Sequence, residues 1–320
     1  MTVADEYLTA ATLVLRDAGG DAGLDTLGWW QLVDGLADRD SREAVFALFR
    51  AQGRTLASSR ALGGLMAQPY AEMLGLEPGS VIATVPRDSP RHGPVHVIVG
   101  DPGAARLLID RPGRGVAVVD AGDAEFRPVV VPGRLVLHEV DLPKVQLSTS
   151  ATAMGDAEAA AARQRSAFLG RTALALEILG AAEGAVELAV EHARAREQFG
   201  APIGTFQAVR HLLAWATADC TAVERVVAEA VALDVAAPPR YGDIAKALAG
   251  RNGRRACERA LQVLGGVGFT AEHDHHHFHS RALALDSLLG ASPTLTRELG
   301  AWRREERGTQ QVTSAMLLAR

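Results

Sequence analysis

The sequence predicts a mainly α-helical protein in three parts: an amino-terminal helical domain over residues 1–78, a small antiparallel β domain over 79–150, and a carboxy-terminal four-helix bundle over 151–320. Three observations carry this. Apolar residues recur at helical steps in the first quarter of the chain, the period shortens to β-rich runs punctuated by Gly and Pro between about 80 and 147, and long helical segments return after it. The chain has 320 residues, 48% of them hydrophobic, enough to bury a large core.

In the first part, Tyr7, Leu8, Ala11, Leu13, Val14 and Leu15 form one apolar group, and Val45, Phe46, Leu48, Phe49, Leu56 and Leu62 a second. Gly19-Gly20 and Asp38–Asp40 mark breaks between helices. In the second part the runs are Val81–Val85, Val95–Val99, Arg106–Ile109, Gly115–Asp120 and Arg134–Glu139, separated by turns such as Pro102-Gly103 and Pro112-Gly113. Past a Ser148-Thr149-Ser150 loop, helical patterns cover roughly 156–196, 205–235, 241–264 and 280–301, with Pro238-Pro239 as a boundary that no helix interior tolerates.

The formal charge of −5 provides no basic footprint, so neither nucleic acid nor a membrane surface is expected as partner. Acids stand at the amino terminus where a signal peptide would carry bases, and no long apolar run free of charge follows, which predicts a cytoplasmic protein. Cys220 and Cys257 have no metal-ligand spacing and read as small core residues.

Two motifs carry chemistry. Arg196-Glu197-Gln198-Phe199-Gly200, with Gln207 downstream, closes one long helix and opens the next. A guanidinium offers paired donors to pyrophosphate oxygens, Phe199 a flat apolar face, and Gln207 a donor and an acceptor. An arginine at a helix end also serves simply to compensate the helix dipole. The second motif is Gln262-Val263-Leu264-Gly265-Gly266, leading into Val267-Gly268-Phe269; its glycines permit close backbone approach to a ligand, although a glycine also ends many helices for structural reasons alone.

Together these motifs resemble the carboxy-terminal helical domain of the acyl-CoA dehydrogenase family. The resemblance implies the acyl-CoA dehydrogenase fold and FAD shared between two subunits, one holding the flavin ring and its neighbour reaching the adenine end with Arg196, Phe199, Gln207 and Gln262, Val263, Leu264, Gly265 and Gly266. The ring-holding half departs from the family pattern. No Thr-Glu-Pro-x-x-Gly-Ser strand is present, and the segment reads Ala83-Thr-Val-Pro-Arg-Asp-Ser-Pro-Arg-His92 instead.

The family also implies a catalytic glutamate at one of two places, and in this chain both are glycine: Gly290 after the Gly-Gly block and Gly170 before Arg171. Asp286 is the fallback acid, and Glu177 and Glu298 stand within a few residues of the expected positions; each also reads as an ordinary surface charge. The stretch Leu288–Ser292, followed by Leu295 and Glu298-Leu-Gly300, looks like the base-free subunits of heterotetrameric enzymes acting on steroid-derived CoA thioesters. The expected partners are then a second acyl-CoA dehydrogenase subunit in an α2β2 assembly, an acyl-CoA substrate, and electron-transferring flavoprotein or a similar acceptor. A self-sufficient homo-oligomer with a displaced base and a flavin-free scaffold stay open beside it. His273, His275, His276, His277 and His279 read as a structural or ligand-adjacent loop, pH-sensitive in one version, rather than a metal site, since consecutive histidines cannot all face one ion.

Overall fold

A computed structural model describes residues 3–88, 95–103, 105–111, 113, 115–141, 152–234, 237 and 240–306. The Ser148-Thr149-Ser150 loop, Pro238-Pro239, Pro112 and the end of the Ala83–His92 segment lie outside the described residues.

The chain begins with α1 (Val3–Ala18), α2 (Gly20–Thr26), α3 (Trp29–Asp34), α4 (Arg39–Thr55) and α5 (Ala61–Leu74). Asp38 ends the break before α4 by capping it: its carboxylate accepts the Ser41 N–H at 2.8 Å. The sheet region follows as β1 (Val81–Ala83), β2 (Val85–Arg87), β3 (Val95–Val99), β4 (Arg106–Arg111), β5 (Gly115–Val119), β6 (Phe126–Val130), β7 (Val136–Val140) and β8 (Thr152–Met154). Two of these, β6 and β8, go beyond the runs that the sequence suggested. β6 is mostly exposed and carries Pro128, so it lacks the apolar alternation of a half-buried strand.

The strands form two four-stranded sheets, ordered β1-β4-β5-β8 and β2-β3-β7-β6. All pairings are antiparallel except β1 with β4. Alternation along the strands divides the core in two. Ile82, Leu107, Ile109 and Val119 meet Ile98 and Val140 in one apolar cluster, whereas Ala83, Leu108, Val118, Val97 and Leu137 join the cluster that contains the helices.

Helix α6 (Asp156–Ala195) is the spine; at 40 residues it runs about 60 Å. It crosses α4 so closely that a Cβ on Gly53 would lie 2.1 Å from the Glu177 carbonyl oxygen, and one on Gly180 2.1 Å from that of Arg50. After a short hairpin, β9 (Glu197–Gln198) and β10 (Ala201–Pro202), come α7 (Gln207–Leu233), α8 (Tyr241–Leu264), α9 (His275–Asp286) and α10 (Ser292–Glu306). The expected helix over 280–301 is therefore two helices. Leu289 (φ 54°) and Gly290 (φ 96°) turn left-handed between them, and the Leu289 N–H leaves the helix to donate to the Pro86 carbonyl at 2.9 Å. The histidine run, expected as a loop, instead opens α9.

Candidate functional site

The register of the long helices brings the two motifs to one end of the bundle. Gly242 lies against Phe168 and Gly253 against Ile178, so α8 runs parallel to α6. Arg259 reaches the Trp215 carbonyl at 3.3 Å and Asn252 the Asp219 carbonyl at 3.4 Å, so α7 runs antiparallel to α8. The end of α6, the start of α7 and the end of α8 are consequently level. His192, near the end of α6, is close to both motifs: burial lowers its pKa first, and the nearby positive charges of His273 and Arg196 lower it further.

Arg196 caps α6, its N–H donating to the His192 carbonyl and its own carbonyl accepting the Ile203 N–H, both at 2.8 Å. The next residues pair Glu197 with Pro202 and Gln198 with Ala201 across a two-residue turn. Both turn residues, Phe199 (φ 56°) and Gly200 (φ 79°), are left-handed, as such a hairpin turn requires. Glycine accepts this freely and a phenylalanine does not. The strained turn also holds Phe199 in water, 95% exposed, with only the edge of Phe206 against it at 6.1 Å between centroids. An aromatic ring held in the open by an unfavourable backbone makes this turn a candidate for contact with a ligand or partner.

Around it stand unspent polar groups. The guanidinium of Arg196 and the carboxamides of Gln207 and Gln262 are exposed, and among the described residues they make no side-chain hydrogen bond. Gln207 is the first residue of α7, so its carboxamide sits beside the free N–H groups of a 27-residue helix, which favour an anion. Gly265 (φ 62°) ends α8 and, with Gly266, starts a 3-10 turn through Phe269, itself 78% exposed. Val263 and Leu264 differ from their neighbours: their side chains are 6% and 3% exposed and belong to the core, leaving only backbone to offer a ligand. An arginine, two carboxamides, a glycine-lined backbone and an exposed ring are a donor set suited to pyrophosphate and a base.

Of the two expected base positions, one is closed and the other borders a cavity. A Cβ on Gly170 would lie 2.6 Å from Leu289 Cδ1 and 2.8 Å from Met66 Sδ. Gly290 borders a cavity of about 360 Å³, together with Met66, Tyr70, Thr84, His96, Asp110 and Ser166. The fallback acids are already engaged. Asp286 takes Lys246 Nζ at 3.2 Å and the Ser292 N–H and hydroxyl at 3.1 and 3.0 Å, capping α10. Glu177, read as surface charge, is 1% exposed and ion-paired with Arg281, whose Nε lies 2.9 Å from Oε1. Only Glu298 is exposed at the cavity. Sequence reasoning missed the buried cations Lys246 and Arg281, and nothing local in the sequence marks either.

Residues 159–302 match the family model for the acyl-CoA dehydrogenase carboxy-terminal domain, which covers α6 through most of α10. The chain belongs to the acyl-CoA dehydrogenase family. Members of this family are FAD-dependent oxidoreductases acting on CH–CH bonds. The acyl-CoA dehydrogenase FadE34 of Mycobacterium tuberculosis is 33% identical over 222 residues, which are 68% of this chain and 30% of that protein. The chain thus spans under a third of that relative's length. Among solved structures, a variant of the Tcur3481-Tcur3483 steroid ACAD superposes with TM-score 0.76 at 22% identity, covering 96% of this chain and 99% of that one. The ChsE4-ChsE5 complex from Mycobacterium tuberculosis gives TM-score 0.72 at 20% identity, with 95% and 98% covered. These likenesses make the three-part architecture an acyl-CoA dehydrogenase fold. Among the described residues no helix is long and apolar enough to cross a membrane.

In this acyl-CoA dehydrogenase family member the histidine run is structural at its centre. His275 is 1% exposed and its Nε2 lies 2.9 Å from the Cys257 carbonyl, while the His276 and His277 rings lie with centroids 3.9 Å apart and planes tilted by 41°. Burial lowers the pKa of His275 and of His279. A histidine whose folded pKa is depressed contributes stability that is full above its unfolded value near 6.5 and is lost as pH falls toward the folded one. Urea midpoints should therefore be flat from pH 8 to about 6.5 and decline below it, each such group contributing at most about 1.4 kcal/mol per pH unit. His275→Gln should flatten the decline between pH 6.5 and 5.5, above the carboxylate range; an unchanged slope would place the titration elsewhere.

Proposed function

We propose that this chain is the base-free subunit of a heteromeric acyl-CoA dehydrogenase that introduces an α,β double bond into a bulky, ring-bearing CoA thioester. Arg196, Phe199, Gln207 and the backbone around Gly265 and Gly266 complete the FAD site of a catalytic partner chain across the interface. FAD, when bound, supplies the hydride acceptor, and electrons leave to electron-transferring flavoprotein or a similar carrier. The partner supplies the carboxylate that removes the α-proton.

The observation that carries this reading is an asymmetry. One end of the bundle presents exposed donors that make no side-chain hydrogen bond among the described residues, and the two places where the family carries its base hold glycine, one of them closed by Leu289 and Met66. Two of the superposing structures carry paired names, Tcur3481-Tcur3483 and ChsE4-ChsE5, which supports an unlike partner, and the first is described as a steroid ACAD, which supports a ring-bearing substrate. A homo-oligomer using Asp286 has less support, because that carboxylate caps α10.

Co-expression with an acyl-CoA dehydrogenase chain encoded beside this one tests the proposal. The expected product is an α2β2 oligomer with about one flavin per pair of unlike chains, and Arg196→Ala should leave its mass unchanged while flavin content falls at least tenfold, given the strength of a charge-assisted contact to pyrophosphate. If the chain alone binds one flavin per protomer, the shared site is wrong. If Arg196→Ala leaves flavin unchanged, the chain is a scaffold.

A further inference from the structure

Between the glycine turn that ends α8 and the start of α9 the chain is held by hydrogen bonds that pass from residue to residue. The Val267 carbonyl accepts the Thr270 N–H at 3.1 Å and the Thr270 hydroxyl at 2.9 Å, and the Thr270 carbonyl accepts the His273 N–H at 3.3 Å. His273 then makes two further bonds. Its Nδ1 accepts the His275 N–H at 3.2 Å, and its carbonyl accepts from His276 Nδ1 at 2.8 Å. One residue thus joins the 3-10 turn Gly265–Phe269 to the first turn of α9.

Asp274 is the type of residue that normally caps a helix, but its carboxylate makes no capping bond and instead takes Arg134 at 3.3 Å. His273 takes over the cap. Its ring closes onto the N–H two residues on, as an asparagine does in an Asx turn. These bonds also fix which nitrogens carry protons. A backbone N–H only donates, so Nδ1 of His273 is bare and the neutral ring carries its proton on Nε2. A carbonyl only accepts, so His276 is protonated on Nδ1, and His275, whose Nε2 lies 2.9 Å from the Cys257 carbonyl, on Nε2.

An imidazolium donates from both nitrogens, so protonation leaves the His275 and His276 bonds intact. Of the three, it breaks the His273 bond alone. The added charge is also badly placed, because it stands at the N-terminus of α9, where the helix dipole disfavours a cation. On α6 it faces His192, which lies near both His273 and Arg196. On its own segment it adjoins His275 and His276. The acids flanking it, Glu272 and Asp274, are exposed, and Asp274 is paired with Arg134, so they offset little of the repulsion.

We propose that His273 is a positioning residue: its neutral ring caps α9 and so holds the Gly265–Phe269 turn, and one proton taken up from solvent at Nδ1 releases both. That release of the turn costs the complex its flavin rests on the proposed shared site; the cap itself does not.

The full chain, alone and 15N-labelled on histidine, tests the cap. Long-range 1H–15N spectra report which nitrogen of each ring is protonated, and His273→Asn assigns the His273 signals. At about pH 7.5 His273 should show Nε2–H and His276 Nδ1–H. As the His273 ring titrates, amide exchange across residues 274–278, corrected for the intrinsic rate, should speed up about five- to tenfold, the worth of one helix cap. His273→Ala should exchange that fast at every pH. His273→Asn, which accepts through an uncharged oxygen, should stay slow throughout. The proposal is overturned if His273 carries its proton on Nδ1, if exchange does not follow its titration, or if His273→Asn keeps the parent's pH dependence. In the co-expressed complex, flavin content of the parent should fall in step with the His273 titration, and that of His273→Asn should not. Exchange that follows His273 with flavin content indifferent to it would leave the cap standing and count against the shared-flavin reading.

Discussion

Arg281→Ala should lower unfolding free energy by about 3–5 kcal/mol, the range for removing one partner of a buried ion pair. Arg281 is 0% exposed and its companion Glu177 1%. Besides the carboxylate, the guanidinium donates to the carbonyls of Ala57 at 2.5 Å, Arg134 at 3.2 Å and Gly133 at 3.5 Å. One side chain on α9 therefore holds α6, the connection between α4 and α5, and the turn before β7. Removing it strands a carboxylate in the core and leaves three carbonyls short of a donor. Burial pushes the Glu177 pKa up and Arg281 pulls it back, so without the arginine the acid is driven toward its neutral form.

A double-mutant cycle separates the pair from the staple. Glu177→Leu with Arg281→Met should recover the part of the loss due to the isolated charge, because an apolar pair of similar size often replaces a buried ion pair without penalty. It should not recover the rest, since the carbonyls of Ala57, Gly133 and Arg134 still lack their donor. Urea unfolding of all four proteins measures the coupling. A single mutant within about 1 kcal/mol of the parent would show that water replaces the guanidinium at no great cost.

The same residues show where sequence reasoning stops. Helical periodicity placed the long helices because it is a local signal, and the motif at Arg196 was legible because a charge, an aromatic residue and a glycine turn lie within five positions. Glu177 and Arg281 are 104 positions apart, and nothing near either announces that each neutralises the other inside the core. The break between α9 and α10 was hidden for the same reason. Leu289 is left-handed because its N–H goes to Pro86, some two hundred positions away, and Asp88 reinforces the turn by accepting the Ala291 N–H at 3.0 Å. The motif also overextended: Val263 and Leu264 share a sequence run with Gln262 and Gly265, but one turn of helix sends their side chains inward.

Restoring a glutamate at either family position should fail to make this chain a dehydrogenase by itself. At Gly170 the obstacle is the first carbon. Its Cβ would stand 2.6 Å from Leu289 Cδ1 and 2.9 Å from Met66 Cγ, both buried, so Gly170→Ala should already destabilise, and Gly170→Glu should cost about 2–4 kcal/mol from overpacking and from a carboxyl group against apolar wall. At Gly290 the obstacle is the backbone. With φ at 96° any other residue is strained by about 1–3 kcal/mol, and the added Cβ meets Leu295 at 3.0 Å. On the proposed function the partner chain holds the flavin ring, so neither variant, purified alone with FAD and an acyl-CoA, should reduce an artificial electron acceptor above the parent's rate. The alanine variants separate the two causes: Gly170→Ala and Gly290→Ala report sterics and strain without the added charge. Turnover by Gly290→Glu alone would mean that the pocket had lost only its base and kept its flavin, and the asymmetry on which the donated half-site rests would disappear.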